Sequence, residues 1–257
     1  MFKFRTLKTL RREIESIWDL SFFTIGSKRE LFEILKRQFA RYNDEDAMWQ
    51  FVENNIKTFQ KYRIEVNPEE ITSSVAVVRN KAVKAKGDAF VYAFGISGVY
   101  ATQTAFVKAC GNSIVIASDE VSVFAADQAT VYATDNSSVN ATGDAKIEAR
   151  GASRIVAKEN VSVCSYDNTY VYLSNYVDPY RGTKFMATFN ANGKSVVKIS
   201  GGAVRGDATD EATIYSTPST LLREVCDNNG EPLYVDDYEQ YAEVTLSRNA
   251  TLQRSDI

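Results

Sequence analysis

Valine or isoleucine recurs at every eighth residue along the middle of this chain, and this period constrains the fold more than any other feature. The series runs without a break and consists of Val75, Val83, Val91, Val99, Val107, Val115, Val123, Val131, Val139, Ile147, Ile155, Val163 and Val171. A fixed short period predicts a repeat architecture, in which each unit packs only against its neighbours. Such a repeat is a scaffold and contains no reaction chemistry of its own.

The residues around each repeated valine follow a pattern too. Two positions after it stands Ala in almost every unit, as in Val91 and Ala93, and two positions before it stands a small residue such as Ala89. Residues two apart on a strand face the same side, so these three form one inward stripe. Polar pairs such as Gly143-Asp144 follow the strands and tolerate the left-handed backbone of tight corners. Because the side chains of this stripe are small, it predicts a thin interior, with the bulky Phe and Tyr side chains on the outside.

Two units together predict one coil of a two-sided β-solenoid, with about 16 residues and two short strands on opposite sides. Such coils stack at about 4.8 Å. The alternative is an antiparallel meander, whose Val/Ala face would stay uncovered, and we favour the solenoid. Tyr100 and Ile116 distinguish the two, because they are neighbours one coil apart in the solenoid and two strands apart in the meander. Cysteines at these positions would cross-link only in the solenoid, since bridged Cα atoms lie within about 7 Å.

The two ends of the chain differ from the repeat. Apolar residues recur at helical spacing within residues 1–64, with helix starts predicted at Ser27 and near Asp44, so we expect an N-terminal α-helical cap. Residues 73–176 form the octapeptide-repeat solenoid. Residues 178–257 contain strand-like runs separated by turn signals, which predict a small C-terminal β domain. A cap at each end is expected because terminal coils otherwise expose unpaired strand edges. The predicted fold class is mainly β.

The composition excludes several classes of site. The chain has no histidine, which rules out an imidazole base, nucleophile or metal ligand. Three scattered cysteines, Cys110, Cys164 and Cys226, cannot supply a usual zinc site and are expected to be free thiols in a reducing compartment. No nucleophile motif, phosphate loop or dinucleotide fingerprint occurs. We therefore predict no catalytic, cofactor-binding or metal site, no small-molecule substrate, and a protein that is not an enzyme.

Charge and hydropathy limit the partners. The net charge is −3 without a basic footprint, which argues against binding of nucleic acid through a basic patch. No apolar stretch approaches the roughly 20 residues of a membrane span, and the beginning of the sequence lacks the apolar core of a secretory signal. We expect a cytoplasmic or virion-associated protein that does not bind membranes.

Large aromatic residues fall at outward positions on one side of the predicted solenoid, and they are the candidate protein interface. They are Phe90, Tyr92, Phe106, Phe124 and, farther along, Tyr170 and Tyr172. The other side carries Lys84, Tyr100, Ile116, Tyr132 and Glu148. Contiguous exposed apolar residues usually mark an interface. Three occupants are possible for the aromatic column: the chain's own N-terminal helices, a second copy of the chain, or a foreign protein.

Acidic residues line one predicted corner edge, and they are Asp88, Asp119, Glu120, Asp135 and Asp167. Stacked acids of this kind could bind cations or imitate a row of phosphates. The alternative, which we favour, is that Asp is simply a good turn residue.

Two neighbouring octads carry a family resemblance. Residues 129–136 read ATVYATDN and residues 137–144 read SSVNATGD. They resemble alanine-rich octapeptide repeats in β-solenoid proteins of bacteria, phages and mobile elements, over about residues 73–176. The resemblance implies the architecture and almost nothing about activity. Hexapeptide-repeat acyltransferases differ in period, and their usual catalytic histidine cannot exist here.

The leading functional hypothesis is a non-enzymatic scaffold of the phage or mobile-element type. It would act by protein–protein binding, either by assembling with itself as a homo-oligomer or by blocking a host protein. A structural virion, tail or stalk component is the second hypothesis. A glycan-acting enzyme that uses carboxylates alone is the third, since paired acids can in principle perform such chemistry.

Overall fold

The structure of the chain is a computed structural model, and it describes residues 27–42, 44–174, 186–200, 203–216, 222–226, 232–235, 242–246 and 249–254. The described part is mainly β and forms a β-solenoid of about 8 turns with 16 residues per coil. Within the described residues, three helices precede it: α1 (Lys28–Phe39), α2 (Glu45–Asn54) and α3 (Ile56–Lys61). The first predicted helix, within residues 1–26, lies outside the described residues.

The strands are short and regularly spaced. They are β1 (Ile64–Val66), β2 (Glu70–Ile71), β3 (Val75–Arg79), β4 (Ala82–Ala85), β5 (Phe90–Phe94), β6 (Gly98–Ala101), β7 (Phe106–Ala109), β8 (Ile114–Ala117), β9 (Ser122–Ala125), β10 (Thr130–Ala133), β11 (Ser138–Ala141), β12 (Lys146–Ala149), β13 (Arg154–Ala157), β14 (Ser162–Ser165), β15 (Tyr170–Leu173), β16 (Met186–Ala191), β17 (Val196–Ile199), β18 (Ala203–Ala208), β19 (Thr213–Ser216), β20 (Leu222–Cys226), β21 (Pro232–Val235), β22 (Ala242–Leu246) and β23 (Thr251–Arg254).

These strands form two sheets. Sheet A contains 11 strands in the order β1-β3-β5-β7-β9-β11-β13-β15-β17-β19-β23. Sheet B contains 12 strands in the order β2-β4-β6-β8-β10-β12-β14-β16-β18-β22-β20-β21. Consecutive strands of the repeat therefore alternate between the sheets. Neighbours within each sheet run parallel, apart from the antiparallel pair β20 and β21.

The register confirms the solenoid and shows that the meander is wrong. Tyr100 pairs with Ile116, and Ile116 pairs with Tyr132, so each residue lies beside the residue one coil later. The inward stripe is confirmed as well, because Val115 and Ala117 are fully buried while the residues beside them are exposed. Alternation of this kind is what a strand requires when one face is buried.

Val75, the first residue of the eight-residue series, is an exception to the inward stripe. Ala76, not Val75, pairs with Val91, so this coil has 15 residues instead of 16. Ala76 and Val78 point into the solenoid, whereas Val75 and Val77 pack with the helices. The prediction that Val75 faces the interior is wrong, because a shift of one residue exchanges the two faces of a strand.

The sheets continue beyond residue 176, where the eight-residue series ends. The strands β16 to β19, β22 and β23 extend both sheets by parallel pairing. The division of the chain into three domains stays a prediction, but the described strands after residue 185 add to the solenoid's own sheets. Irregular spacing hides this continuation in the sequence.

The interior of this later part admits a bulky residue, contrary to our expectation. Phe189 is buried in the solenoid core. It pairs with Gly206 in the next coil. A Cβ atom on Gly206 would lie 2.4 Å from the Phe189 ring, so the missing side chain provides the room that the ring occupies.

The corners of the coils are held by a repeated hydrogen bond. The side chain of a corner residue accepts from the backbone N–H of the corner residue one coil earlier. Asp119 accepts from Gln103 at 2.9 Å, Asp135 from Asp119 at 3.2 Å, and Asp167 from Gly151 at 3.2 Å. Because all three Asp residues also adopt the left-handed backbone conformation, which Asp tolerates, they serve as turn residues.

The helices begin where the sequence indicates and pack on sheet A. The Ser27 hydroxyl accepts from the backbone N–H of Glu30 at 3.2 Å, and the Asp44 carboxylate accepts from that of Ala47 at 2.6 Å. Both bonds satisfy backbone donors that a helix start otherwise leaves open. The apolar faces of the helices form a second core with β1, β3 and β5.

Candidate protein-interaction surfaces

The near end of the aromatic column lies beneath α1. The ring of Phe32 is fully buried, with its centroid 5.3 Å from that of Phe90, 6.3 Å from that of Tyr92 and 5.3 Å from that of Phe106. Phe39, two turns farther along the same helix face, has its ring centroid 4.7 Å from that of Tyr92 in an edge-to-face arrangement. Of the three occupants considered for the column, the structure therefore places the chain's own helices on these residues.

Lys108 closes the edge of this covered region. Its ammonium nitrogen lies 5.2 Å from the ring centroid of Tyr92 and 5.5 Å from that of Phe124. These distances are within the range of a cation–π interaction. Phe124 is half-buried and has no ring contact with the helices among the described residues.

Tyr170 and Tyr172 stand apart from the rest of the column. Two coils separate them from Phe124, and these coils present Asn140 and Val156 in the same row. Tyr170 is exposed, and the guanidinium of Arg154 lies 5.8 Å from its ring centroid. The six predicted interface residues are thus divided into a group beneath α1 (Phe90, Tyr92 and Phe106), Phe124 beside Lys108, and the separate pair of tyrosines. Their role in binding stays a prediction.

Two ionisable groups are enclosed under the helices. The thiol of Cys110 donates to the hydroxyl of Tyr92 at 3.9 Å. Burial raises the pKa of Tyr92 and the pKa of Cys110, because both charged forms would lose their water. The Cys110 thiol is therefore protonated at neutral pH, and it packs as part of the helix interface.

Ion pairs also connect the helices to the solenoid. Lys28 of α1 pairs with Asp88, and its hydrogen bond lowers the pKa of that carboxyl group. Arg79 of β3 pairs with Asp46 of α2, and its guanidinium stacks at 6.0 Å over both the Trp49 and Phe94 rings. Because Asp88 is a helix contact, it does not belong to a continuous row of free corner acids.

The outer face of sheet B carries a continuous apolar surface that the helices leave exposed. Four neighbouring side chains on β6, β8 and β10 form it, and we refer to them as the sheet B patch: Tyr100 (51% exposed), Ile114 (45%), Ile116 (41%) and Tyr132 (42%). Tyr100, Ile116 and Tyr132 are in direct register, and Ile114 lies two residues from Ile116 on the same strand. No other group of large exposed apolar side chains among the described residues is contiguous in this way.

Charged residues border the sheet B patch at both ends. Lys84 precedes Tyr100 in the same row, and Glu148 follows Tyr132. Lys146 lies two residues from Glu148 on β12. An apolar centre with a polar border is the arrangement found in protein–protein interfaces.

The sequence signal for this patch was present but incomplete. The alternation of octads placed Tyr100, Ile116 and Tyr132 in one row, but the sequence analysis did not include Ile114, which stands one residue before the repeated Val115. The burial pattern of β8, in which Ile114 and Ile116 are both exposed, identifies it.

Among the described residues, no group of three or more His, Cys, Asp or Glu side chains is placed to hold a metal ion. Within the same residues, no helix is long and apolar enough to cross a membrane.

The chain matches no protein-family model, and comparisons with curated proteins and with solved structures found no match. The fold defines the class of the protein as a β-solenoid.

Proposed function

We propose that this chain is a non-enzymatic scaffold that acts by protein–protein binding, and that the sheet B patch is its binding surface. The observation that carries the proposal is the contiguous exposure of Tyr100, Ile114, Ile116 and Tyr132 on a rigid sheet. Soluble proteins rarely leave large apolar side chains together in water unless they bind something. Tyr is also enriched in interfaces, since it combines a large apolar ring with a hydroxyl group.

The scaffold itself supports this proposal. Parallel pairing through the whole repeat and the corner hydrogen bonds fix the positions of the patch residues. A surface that is already ordered loses little conformational entropy on binding. We further propose, from the octapeptide resemblance, that the protein is of the phage or mobile-element type and acts in the cytoplasm.

Photo-crosslinking tests the binding surface. A photoreactive phenylalanine analogue would replace Tyr100 in the full chain, expressed in the source organism, and a matched variant would carry it at Asn190. Asn190 is exposed on the outer face of sheet B, but it lies on β16, away from the patch. We expect discrete cross-linked species from position 100 and none from position 190. Equal labelling at both positions, or none at either, would contradict the proposal.

A further inference from the structure

The row that crosses the sheet B patch has a symmetric order of residue types. It reads Lys84, Tyr100, Ile116, Tyr132 and Glu148, one residue per coil. Ile116 is at the centre, a tyrosine lies on each side of it, and the two ends carry opposite charges. With coils about 4.8 Å apart, the charged ends are separated by about 19 Å.

This order is self-complementary under one particular symmetry. A two-fold axis that runs parallel to the strands over Ile116 turns the second copy face to face and reverses its solenoid axis. Lys84 then faces Glu148 of the second copy, Tyr100 faces Tyr132, and Ile116 faces itself. The Lys84–Glu148 and Tyr100–Tyr132 pairings each occur twice and the Ile116 self-contact lies on the axis, as an isologous interface requires.

The second row of the same face satisfies the same axis. It reads Ala82, Gly98, Ile114, Thr130 and Lys146. Ile114 would meet its own copy, and Gly98 would meet Thr130. The Lys146 stem would lie over the small Ala82, which leaves its ammonium group in water, as long basic side chains prefer.

We propose that the sheet B patch binds a second copy of this chain in this antiparallel two-fold arrangement. The inference rests on the proposed function and names its partner. A two-fold axis along the solenoid would instead place Lys84 against Lys84 and Glu148 against Glu148. Like charges in opposition are unfavourable, so the charge pattern selects the antiparallel arrangement.

Contacts within each copy leave the two charged side chains at the ends of the row exposed or partly exposed. Glu148 accepts hydrogen bonds from Arg150 at 3.0 and 3.2 Å, and its side chain remains partly exposed. Lys84 is exposed and pairs in register with Glu70, whose carboxylate is held by Lys86 at 3.1 Å. Both charged ends therefore remain accessible to the second copy.

The small area of this face predicts a weak association between the two copies. Five strands at about 4.8 Å and four residues at about 3.3 Å give roughly 300 Å² of flat face per copy. Stable interfaces bury about 800 Å² per partner. The association should therefore be weak and dependent on concentration.

The inference can be tested by reversing the charges at Lys84 and Glu148 and measuring dimer formation by analytical ultracentrifugation. Wild type should form a dimer at high concentration, and Lys84→Glu or Glu148→Lys alone should weaken the dimer about tenfold. An equimolar mixture of the two variants should return to the wild-type affinity, because each heterodimer regains two opposite-charge pairs. Lys198→Glu, a reversal of the same type on sheet A, should have no effect, and thermal melts should show that all variants fold alike.

Two results would overturn the inference. The first is a wild-type chain that stays monomeric at about 1 mM. The second is a mixture of the two variants that associates no better than either variant alone. If position 100 still cross-links to a different protein in either case, the proposed function stands and only the second copy is excluded. If position 100 cross-links to nothing, the proposed function fails with it.

Discussion

Replacing Phe32 with alanine is expected to lower the free energy of unfolding of the helical part by about 3–5 kcal/mol. The ring is fully buried and contacts three aromatic residues of sheet A, so its loss leaves a cavity at the centre of the interface. The strands of the solenoid should keep their stability, because they hold one another through their own core. Urea unfolding followed by tryptophan fluorescence and by far-UV circular dichroism would separate the two parts.

The matched control for this change is Tyr170→Ala. Tyr170 lies on the same outer face of sheet A but is exposed. Its truncation should change the stability by less than about 0.5 kcal/mol. Trp49 reports on the helices because its ring lies 5.9 Å from that of Phe94. If the fluorescence transition of Phe32→Ala matched that of the control, the helices would not be attached through Phe32.

Replacing Gly206 with alanine is expected to destabilise the solenoid by about 2–3 kcal/mol, a large effect for one added methyl group. The new Cβ would come within 2.5 Å of both the ring and the backbone carbonyl oxygen of Phe189. The backbone there is held in the sheet, so it cannot move away freely. Thermal or urea unfolding would measure the loss.

A matched glycine on the same sheet controls for the general effect of adding a methyl group. At Gly98 a Cβ would meet the Ala82 Cβ at 3.7 Å and the Ala82 Cα at 3.9 Å, both of which are ordinary contacts. Gly98→Ala should therefore be neutral or slightly stabilising, since alanine loses less backbone entropy on folding. Phe189→Leu should partly relieve Gly206→Ala, with a coupling energy above about 0.5 kcal/mol. Equal effects at the two glycines would show that Phe189 does not fill the space beside Gly206.

The regular part of the fold was predictable from the sequence because its information is local. A valine at every eighth position, with small residues on either side, specifies strand, interior and corner within each unit. The corner aspartates are predictable for the same reason, since Asp119 and Asp135 satisfy a backbone donor only one coil away.

The deviations from the repeat depend on contacts that a period does not contain. The β3 strand has valines on both faces, so the sequence could not show that Val75 turns toward the helices. Gly206 follows Phe189 by 17 residues, so this pair does not fit the eight-residue period that would have placed the glycine beside the ring. In both cases the deciding contact lies outside the repeat pattern.

The sequence alone also could not show which of the two outer faces remains exposed for binding. Both rows contain large apolar residues, and the row with more aromatic rings was the stronger candidate. Phe32 and Phe39 cover that row's near end, and this depends on how the helices dock. Only the docked arrangement shows that Tyr100 and Ile116 keep their exposure on the opposite sheet.

Both binding proposals rest on the two-sided coil, and one pair of engineered cysteines tests that coil most directly. In a chain whose native cysteines are alanine, Tyr100→Cys with Ile116→Cys should form a disulfide, because the two residues are partners on adjacent parallel strands. Tyr100→Cys with Lys108→Cys should not, since these positions lie on opposite sheets. A disulfide between positions 100 and 108, and none between 100 and 116, would contradict the solenoid and the sheet B patch together.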